Sequence, residues 1–512
     1  MSNQPYKAKP LCGLLGLTAP GVETNLPVIS GIADDSRAVK PGFLFAAIPG
    51  LSTDGRDFIA QAIKAGAVAI LTLDAPHPQL EGLDIPVIRS PEPRRALAEI
   101  AGRFFGPMPA TLMGVTGTNG KTSVADFVRQ IWHQMGVPAA SIGTLGAIRG
   151  GGAAPVGGAT HTTASPIQLH QMLADLKADG FDHVVLEASS HGIHQHRLHG
   201  CRFKVAGFTN LTRDHMDYHK TEFAYLAAKG RLFSDLLAPG GHAVVYGSGE
   251  KADYMVDLAK GQGHSSLRVG FDFDFDWRIS QLAHREDGQR ASIEMNGRQK
   301  SIFLPLIGEF QLLNWMVAAA MVVADGADPN DVFETANSMK GVPGRMESVG
   351  FTRSGAAVLV DYAHTPDGLE TILAAARPFA RGRLVVLFGC GGNRDRGKRQ
   401  EMGAVATRLA DRVVVTDDNP RHENPAVIRA AIMETAPNAQ EIGDRGEAIE
   451  KAISDLRDGD LLLVAGKGHE VGQQVGSDVL PFSDVEHVAA ALKKMGGRLA
   501  DEKTDGGGHD PL

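Results

Sequence analysis

The sequence predicts an α/β protein of three domains: a small N-terminal α/β domain, a central domain with a doubly wound parallel sheet and a phosphate-binding loop, and a C-terminal Rossmann-like α/β domain. Three observations carry this expectation. The chain has 512 residues, more than one hydrophobic core usually supports, so several domains of roughly 100–200 residues each are expected. Short apolar runs alternate with helix-period segments along most of its length, the pattern of strand–helix–strand units. Two sets of such units occur, one opening near Thr111 and one after Gly341-Val342-Pro343-Gly344, a run of turn formers that separates them.

In chain order, residues 1–105 carry apolar runs at Leu44 to Ile48 and Ala67 to Thr72 and a helical pattern at Asp57 to Ala65, closing at Phe105-Gly106-Pro107. The central domain, 106–342, opens with a strand over Leu112 to Val115, a glycine-rich turn and a helix from Thr122 to Met135. Further strands are expected at Val184 to Leu186, Val205 to Thr209 and Ala243 to Tyr246. The third domain, 343–500, has runs at Val358 to Asp361, Leu384 to Phe388, Val413 to Thr416 and Leu461 to Ala465. These read as strands buried on both faces, and each is followed by polar or glycine-rich residues. In open α/β sheets ligands sit beyond the carboxyl ends of the strands, so those loops are where chemistry is expected. The tail DEKTDGGGHDPL, 501–512, is expected to be disordered.

Composition excludes several classes. A net charge of -8 gives no overall attraction for nucleic acid or an anionic membrane surface. The three cysteines, Cys12, Cys201 and Cys390, are far apart and lack paired metal-ligand spacing, which argues against a disulfide framework and a cysteine zinc site and fits a reducing cytoplasm. The segment MSNQPYKAKPLCGLLGL has no sustained apolar region with a cleavage site, and no stretch of about 18 apolar residues occurs, so membrane insertion is not expected.

The run Gly114-Val115-Thr116-Gly117-Thr118-Asn119-Gly120-Lys121-Thr122 lies between a strand and a helix, where backbone N–H groups and a helix N-terminus cradle phosphate oxygens. Lys121 offsets phosphate charge and Thr122 is placed to hold magnesium. The common spacing puts glycine five residues before Gly120, where this chain has Val115, so the loop is a variant anchored by Gly117. Beyond two later strands stand Glu187 and the segment Thr209-Asn210-Leu211-Thr212-Arg213-Asp214-His215-Met216-Asp217. Their carboxylate and imidazole are suited to divalent cations that screen the charge of bound phosphates. Nine histidines between His161 and His219 raise a zinc cluster as an alternative, without the usual accompanying cysteines.

The phosphate loop resembles the Gly-Thr-x-Gly-Lys-[Thr/Ser] loop of the Mur ligase family and of its relative folylpolyglutamate synthase, and matching segments extend over nearly the whole chain. The resemblance implies ATP bound at Gly117, Thr118, Asn119, Gly120, Lys121, Thr122 and Ser123, with Asn314 near adenine and Arg345 over the phosphates. It implies Mg2+ at Thr122, Glu187 and His215, and a carbamate (N6-carboxylysine) at Lys229 in Tyr225-Leu226-Ala227-Ala228-Lys229 supporting the metal. Lys121, Glu187, His215 and Lys229 are then the catalytic set. Ser36, in Asp35-Ser36-Arg37, resembles a UDP contact, and Thr162, Thr163, Ser189, Gln195 and Arg197 match the segments for a muramoyl-peptide substrate. His161 and Ala164 flank the threonine pair where the family usually has asparagine and proline, and Gln311 replaces a common asparagine.

Asp418-Asn419-Pro420-Arg421 resembles the mark of the diaminopimelate-adding branch. With Arg394, Gly466 and Glu470 it implies guanidinium groups for the distal carboxylate of diaminopimelate and a carboxylate or carbonyl for its distal ammonium. The implied reaction is ATP-dependent amide formation between UDP-MurNAc-L-Ala-D-Glu and meso-diaminopimelate through an acyl phosphate, by a cytoplasmic monomer with neither nucleic-acid partner nor membrane insertion. The alternatives are a lysine-adding or folate-polyglutamylating ligase, and a nucleotide-dependent switch that does not ligate.

Overall fold

A computed structural model of the chain describes residues 6–17, 26–50, 53–152, 162–212, 216–285 and 287–500. The chain divides into two compact units, Met1–Phe275 with Val317–Pro329, and Asp276–Met316 with Asn330–Leu512.

In the first unit, β1 (Gly31–Ala33), β2 (Phe43–Ala47), β3 (Ala67–Leu73) and β4 (Val87–Ser90) form a parallel sheet in that order. Side chains alternate along a strand: Leu44 and Ala46 of β2 pack with Leu97, Ile100 and Phe104 of helix α1 (Pro93–Phe105), whereas Phe45 and Ala47 pack with Ile59 and Ala62. The expected helix over Asp57 to Ala65 starts as a 3-10 turn, Gly55–Phe58, because Asp54 accepts from the Arg56 N–H and tightens the entry; the α-helix proper is Ile59–Lys64.

A second sheet follows in the same unit: β5 (Thr111–Thr116), helix α2 (Lys121–Gln134), β6 (Ala139–Gly143), β7 (Gly146–Arg149), β8 (His183–Glu187), β9 (Phe203–Phe208), helix α3 (Glu222–Ser234), β10 (Leu237–Tyr246) and β11 (Ser265–Gly270). Their spatial order is β11-β10-β9-β5-β8-β6-β7, parallel except for the edge strand β7. The chain leaves β5 toward β6, returns through β8 and crosses to β9, so the order switches direction around β5, where α/β sheets open a ligand crevice. Gly114 lets α3 approach this strand, since a Cβ there lies only 3.0 Å from Leu232 Cδ1 and 3.2 Å from Phe203 Cδ1.

The second unit holds an antiparallel meander, β12 (Trp277–Arg285), β13 (Gly288–Met295) and β14 (Arg298–Leu304), which the sequence reading did not anticipate. Its strands carry many exposed polar residues between their apolar ones and so lack the continuous apolar runs used to find the parallel strands. The main sheet comprises β15 (Glu347–Phe351), β16 (Ala357–Asp361), β17 (Leu384–Phe388), β18 (Arg412–Val415), β19 (Gln440–Glu441), β20 (Leu461–Ala465) and, past the hairpin β21 (Gly472–Val475)–β22 (Asp478–Pro481), β23 (Arg498–Leu499). The order is β19-β18-β17-β20-β16-β15-β23. Leu384, Val386 and Phe388 enter one core while Val385 and Leu387 enter the other, which explains the uninterrupted apolar runs.

Candidate functional site

The loop after β5 is held by the segment after β9. Thr118 N–H donates to the Asn210 carbonyl at 2.9 Å, Asn119 N–H to Asn210 Oδ1 at 3.0 Å, and the Thr209 hydroxyl to the Asn119 carbonyl. Gly117, at φ +155°, admits this approach, because a Cβ there falls 1.9 Å from Thr209 Oγ1. Gly120, at φ +85°, caps α2 without a side-chain hydrogen bond. The first N–H groups of this 14-residue helix thus face no capping side chain, the arrangement that favours an anion. Ser123 is buried one turn in.

Two lysines converge here. Lys121 Nζ donates to the carbonyls of Gly117 (2.9 Å) and Thr118 (2.8 Å), and Lys229 Nζ, from α3, donates to the same Gly117 carbonyl at 2.6 Å. Lys229 is 1% exposed and its ammonium lies 4.4 Å from the Tyr225 ring centre; the Tyr225 hydroxyl lies 3.2 Å from Thr118 Oγ1.

At the end of β8, Glu187 is buried. Its Oε1 accepts from the Thr144 N–H at 2.8 Å, and its Oε2 from the hydroxyls of Thr122 (3.0 Å) and Thr144 (3.2 Å). Burial pushes this carboxyl above the usual glutamate range, while the Lys121 charge and the three hydrogen bonds pull it back. Gly143 makes room for it, as a Cβ there meets Glu187 Oε1 at 2.0 Å. Sequence reasoning missed Thr144, an isolated threonine with no motif of its own. His215 lies outside the described residues, as do His161 and the tail 501–512.

The muramoyl-peptide candidates sit beside Glu187. Thr162 Oγ1 lies 3.2 Å from Thr144 Oγ1, Thr163 Oγ1 donates to the Glu187 carbonyl (2.8 Å), and Ser189 N–H donates to Thr163 Oγ1 (3.0 Å). Arg197 Nη1 donates to the Thr163 carbonyl at 2.7 Å and Nη2 to Gln195 Oε1 at 2.8 Å. Gln195 and Arg197 line a cavity of about 250 Å3 with Asp34, Ile48, Arg94 and Ser165. A neighbouring cavity of about 450 Å3 shares Ile48, Arg94 and Gln195 with it. Ser36 lines neither; its hydroxyl is buried and donates to Gln61 Oε1 at 3.1 Å. Arg94, half-buried and hydrogen-bonded to the Pro49 carbonyl at 2.8 Å, escaped the sequence reading because nothing sets it apart from Arg95.

The histidine run packs locally: the rings of His191 and His194 lie 4.1 and 5.5 Å from that of Tyr218. Burial lowers the His199 imidazole to about 4, so it is neutral at physiological pH. Among the described residues no group of three His, Cys, Asp or Glu side chains is arranged around a common metal position.

The remaining candidates belong to the second unit. Asn314 is buried, and Gln311 Nε2 donates to the Arg345 carbonyl at 3.2 Å, so the departure at 311 tethers the backbone that carries Arg345. The Arg345 guanidinium lies 4.9 Å from the Tyr362 ring centre. Beyond β18 and β20, Asn419 Nδ2 donates to Glu470 Oε2 at 2.9 Å and Gln473 Nε2 to the Asp418 carbonyl at 2.7 Å. Arg421, at φ +52°, donates from Nη1 to the Gly392 carbonyl at 3.0 Å. Gly392 packs on Pro420, with only 1.9 Å between a Cβ there and the Pro420 carbonyl oxygen, and a Cβ on Gly466 reaches Asp418 Oδ2 at 2.6 Å. Arg394 is exposed on its loop. The six residues from the Asp418, Gly466 and Glu470 segments are thus gathered into one cluster, with Arg394 on the adjoining turn.

Comparison with known proteins returns three family matches in series: the Mur ligase family, catalytic domain, over residues 28–105; the Mur ligase middle domain, over 115–322; and the Mur ligase, glutamate ligase domain, over 344–468. A Bradyrhizobium diazoefficiens protein named UDP-N-acetylmuramoyl-L-alanyl-D-glutamate--2,6-diaminopimelate ligase is 50% identical over 467 residues, covering 91% of this chain and 95% of its own length. A Mesorhizobium japonicum protein of the same name is 48% identical over 466 residues, with coverage of 91% and 95%. A solved structure of a ligase of that name matches with a TM-score of 0.74 at 30% identity, covering 95% of this chain and 99% of its own.

Proposed function

We infer that this chain, which belongs to the Mur ligase family and has its three-domain α/β architecture, is the ligase that joins meso-diaminopimelate to the D-glutamate of UDP-MurNAc-L-Ala-D-Glu with consumption of ATP, a step of peptidoglycan synthesis. The observation that carries this is the match along nine-tenths of the chain to relatives named for that reaction. The acid is first phosphorylated by the γ-phosphoryl group of ATP. The amine then attacks the acyl carbon and phosphate leaves, giving ADP, phosphate and the tripeptide.

The residue roles are proposals. The N–H groups of Gly117 and of Gly120 to Ser123, at the start of α2, and the Lys121 ammonium hold the phosphates, while Thr118 and Asn119, whose N–H groups are held by Asn210, shape the loop around them; Asn314 and Arg345 contact the nucleotide. Gln195 and Arg197 orient the muramoyl dipeptide with Thr162, Thr163 and Ser189, and Ser36 contacts the UDP portion. Magnesium fits the donor set, since the Thr122 hydroxyl and Glu187 carboxylate, 3.0 Å apart, are the hard oxygen ligands it prefers; His215 and a carbamate on Lys229 complete the proposed set. When bound, the cation neutralises charge between ATP and the substrate carboxylate. Among the described residues no helix is long and apolar enough to cross a membrane, and we propose a cytoplasmic monomer.

The direct test supplies purified protein with magnesium-ATP, UDP-MurNAc-L-Ala-D-Glu and either meso-diaminopimelate, L-lysine or no amine, following phosphate release and product mass. Turnover with the tripeptide mass is expected with diaminopimelate at a rate far above that with L-lysine, and none is expected without an amine. Preference for lysine overturns the specificity, and phosphate release without a joined product overturns the ligase.

Glu187→Gln separates function from stability. A carboxyl whose folded-state pKa is raised contributes stability below its unfolded pKa and loses it as pH rises through the folded value. At neutral pH the buried Glu187 therefore weakens the ligand-free fold, whereas an amide carries no charge, still accepts the Thr144 N–H on its oxygen and donates from its NH2 to the threonine hydroxyls, which turn to accept. The variant is expected to melt about 2 °C higher at pH 8, with the gain shrinking toward pH 4, and to lose about a hundredfold or more in turnover. A lower melting temperature at pH 8 contradicts the burial argument; unchanged turnover removes Glu187 from the catalytic set.

A further inference from the structure

We propose that Lys467 is a positioning residue of the amino-acid site: its ammonium holds the Asn419 amide and the Glu470 carboxylate together so that the remaining Glu470 oxygen faces the distal ammonium group of the incoming diamino acid. The inference rests on the assignment of Glu470 and Asn419 to that amino acid.

Lys467 follows β20 and is fully buried. Its Nζ donates to Asn419 Oδ1 at 2.9 Å and to Glu470 Oε2 at 3.1 Å, and Asn419 Nδ2 donates to that same Oε2 at 2.9 Å. Three side chains from two loops thus close a ring. A lysine only donates, so it draws the acceptor atoms of both partners inward. The Asn419 amide is held in one sense, because its Oδ1 also accepts the Gln474 N–H at 2.9 Å. With both inner donors on Oε2, Oε1 is the Glu470 oxygen that accepts no hydrogen bond among the described residues, on a side chain 33% exposed. That oxygen is the one left to meet a ligand ammonium.

Burying a lysine ammonium is costly, and an apolar side chain of similar volume commonly serves stability as well or better. A lysine at this position is therefore better explained by what it orients than by the energy of the pair. The supporting frame is stiff: the fully buried Arg445 donates to the Ala465 carbonyl at 3.0 Å and the Asp417 carbonyl at 3.3 Å while paired at 2.7 Å with the equally buried Asp484. This guanidinium holds the ends of the Asp418 and Lys467 loops at fixed spacing, and Lys467 sets the side chains within it.

Lys467→Met, close in length and uncharged, is the test. The KM for meso-diaminopimelate is expected to rise at least tenfold, while the KM values for ATP and UDP-MurNAc-L-Ala-D-Glu, and kcat at saturating diaminopimelate, stay within about threefold. Glu470→Ala is the control, and in the double variant the two losses are expected to be far from additive. A diaminopimelate KM within twofold of the parent in Lys467→Met, with a clear rise in Glu470→Ala, overturns the positioning role and keeps the site; no rise in Glu470→Ala overturns the site assignment itself. Lys467→Gln takes its place if the methionine variant does not fold, and failure of both to fold makes Lys467 a stability residue and ends the proposal.

Discussion

Lys229→Ala is expected to lower turnover by about a thousandfold while the protein remains folded. The side chain is buried on α3 and donates to the Gly117 carbonyl of the phosphate loop. That carbonyl also accepts from Lys121, so the loop keeps a cationic partner when Lys229 is removed, and Gly117 remains held by Thr209 and Asn210 packing. The large effect follows from the proposed carbamate. As an amine, Lys229 adds a second positive charge beside Lys121; as a carbamate, it becomes an oxygen donor for the metal. Lys229→Arg distinguishes the two, because a guanidinium keeps the charge and does not form the carbamate. An equal loss in both variants is the expected result, read from steady-state rates with melting curves as the folding control. Activity retained by the arginine variant shows that the cation is the working form, and full activity of the alanine variant excludes any role.

How much of this was legible in the sequence depends on how local each feature is. Strands buried on both faces announce themselves as apolar runs, so Leu384 to Phe388 and Leu461 to Ala465 coincide with the observed strands. The meander from Trp277 to Leu304 did not, because its half-exposed strands interleave polar residues. The phosphate loop was legible since its glycines, lysine and helix start are contiguous. The groups that hold the site in shape were not: Thr144 reaches Glu187 from 43 residues away, and Lys467 reaches Asn419 across 48. Such partners carry no motif, because tertiary packing rather than spacing chooses them. The Ser36 motif was legible, but the Gln61 side chain that accepts its hydroxyl was not.

Arg421→Ala is expected to raise the KM for meso-diaminopimelate by about a hundredfold, as for loss of a charge-assisted pair to a carboxylate, and to leave the much weaker use of L-lysine nearly unchanged. The two amines differ by the distal carboxylate, so only diaminopimelate loses a partner. The residue is set up for this task by its backbone. Arg421 sits in the left-handed region at φ +52°, its N–H donates to the Gln474 carbonyl at 3.0 Å, and its carbonyl accepts the Gly476 N–H at 2.7 Å. These bonds belong to the main chain and survive truncation, and alanine meets the same strain at positive φ that arginine does, so the melting temperature should move little. On the side chain, Nη1 is spent on the Gly392 carbonyl and weakly on that of Asn419, while Nε and Nη2 make no hydrogen bond among the described residues. That leaves one edge of the guanidinium for a bidentate carboxylate contact. Arg421→Lys, a point charge without the fork, should fall between parent and alanine. An equal loss with both amines makes Arg421 a support of the loop and moves recognition of the distal carboxylate to the exposed Arg394.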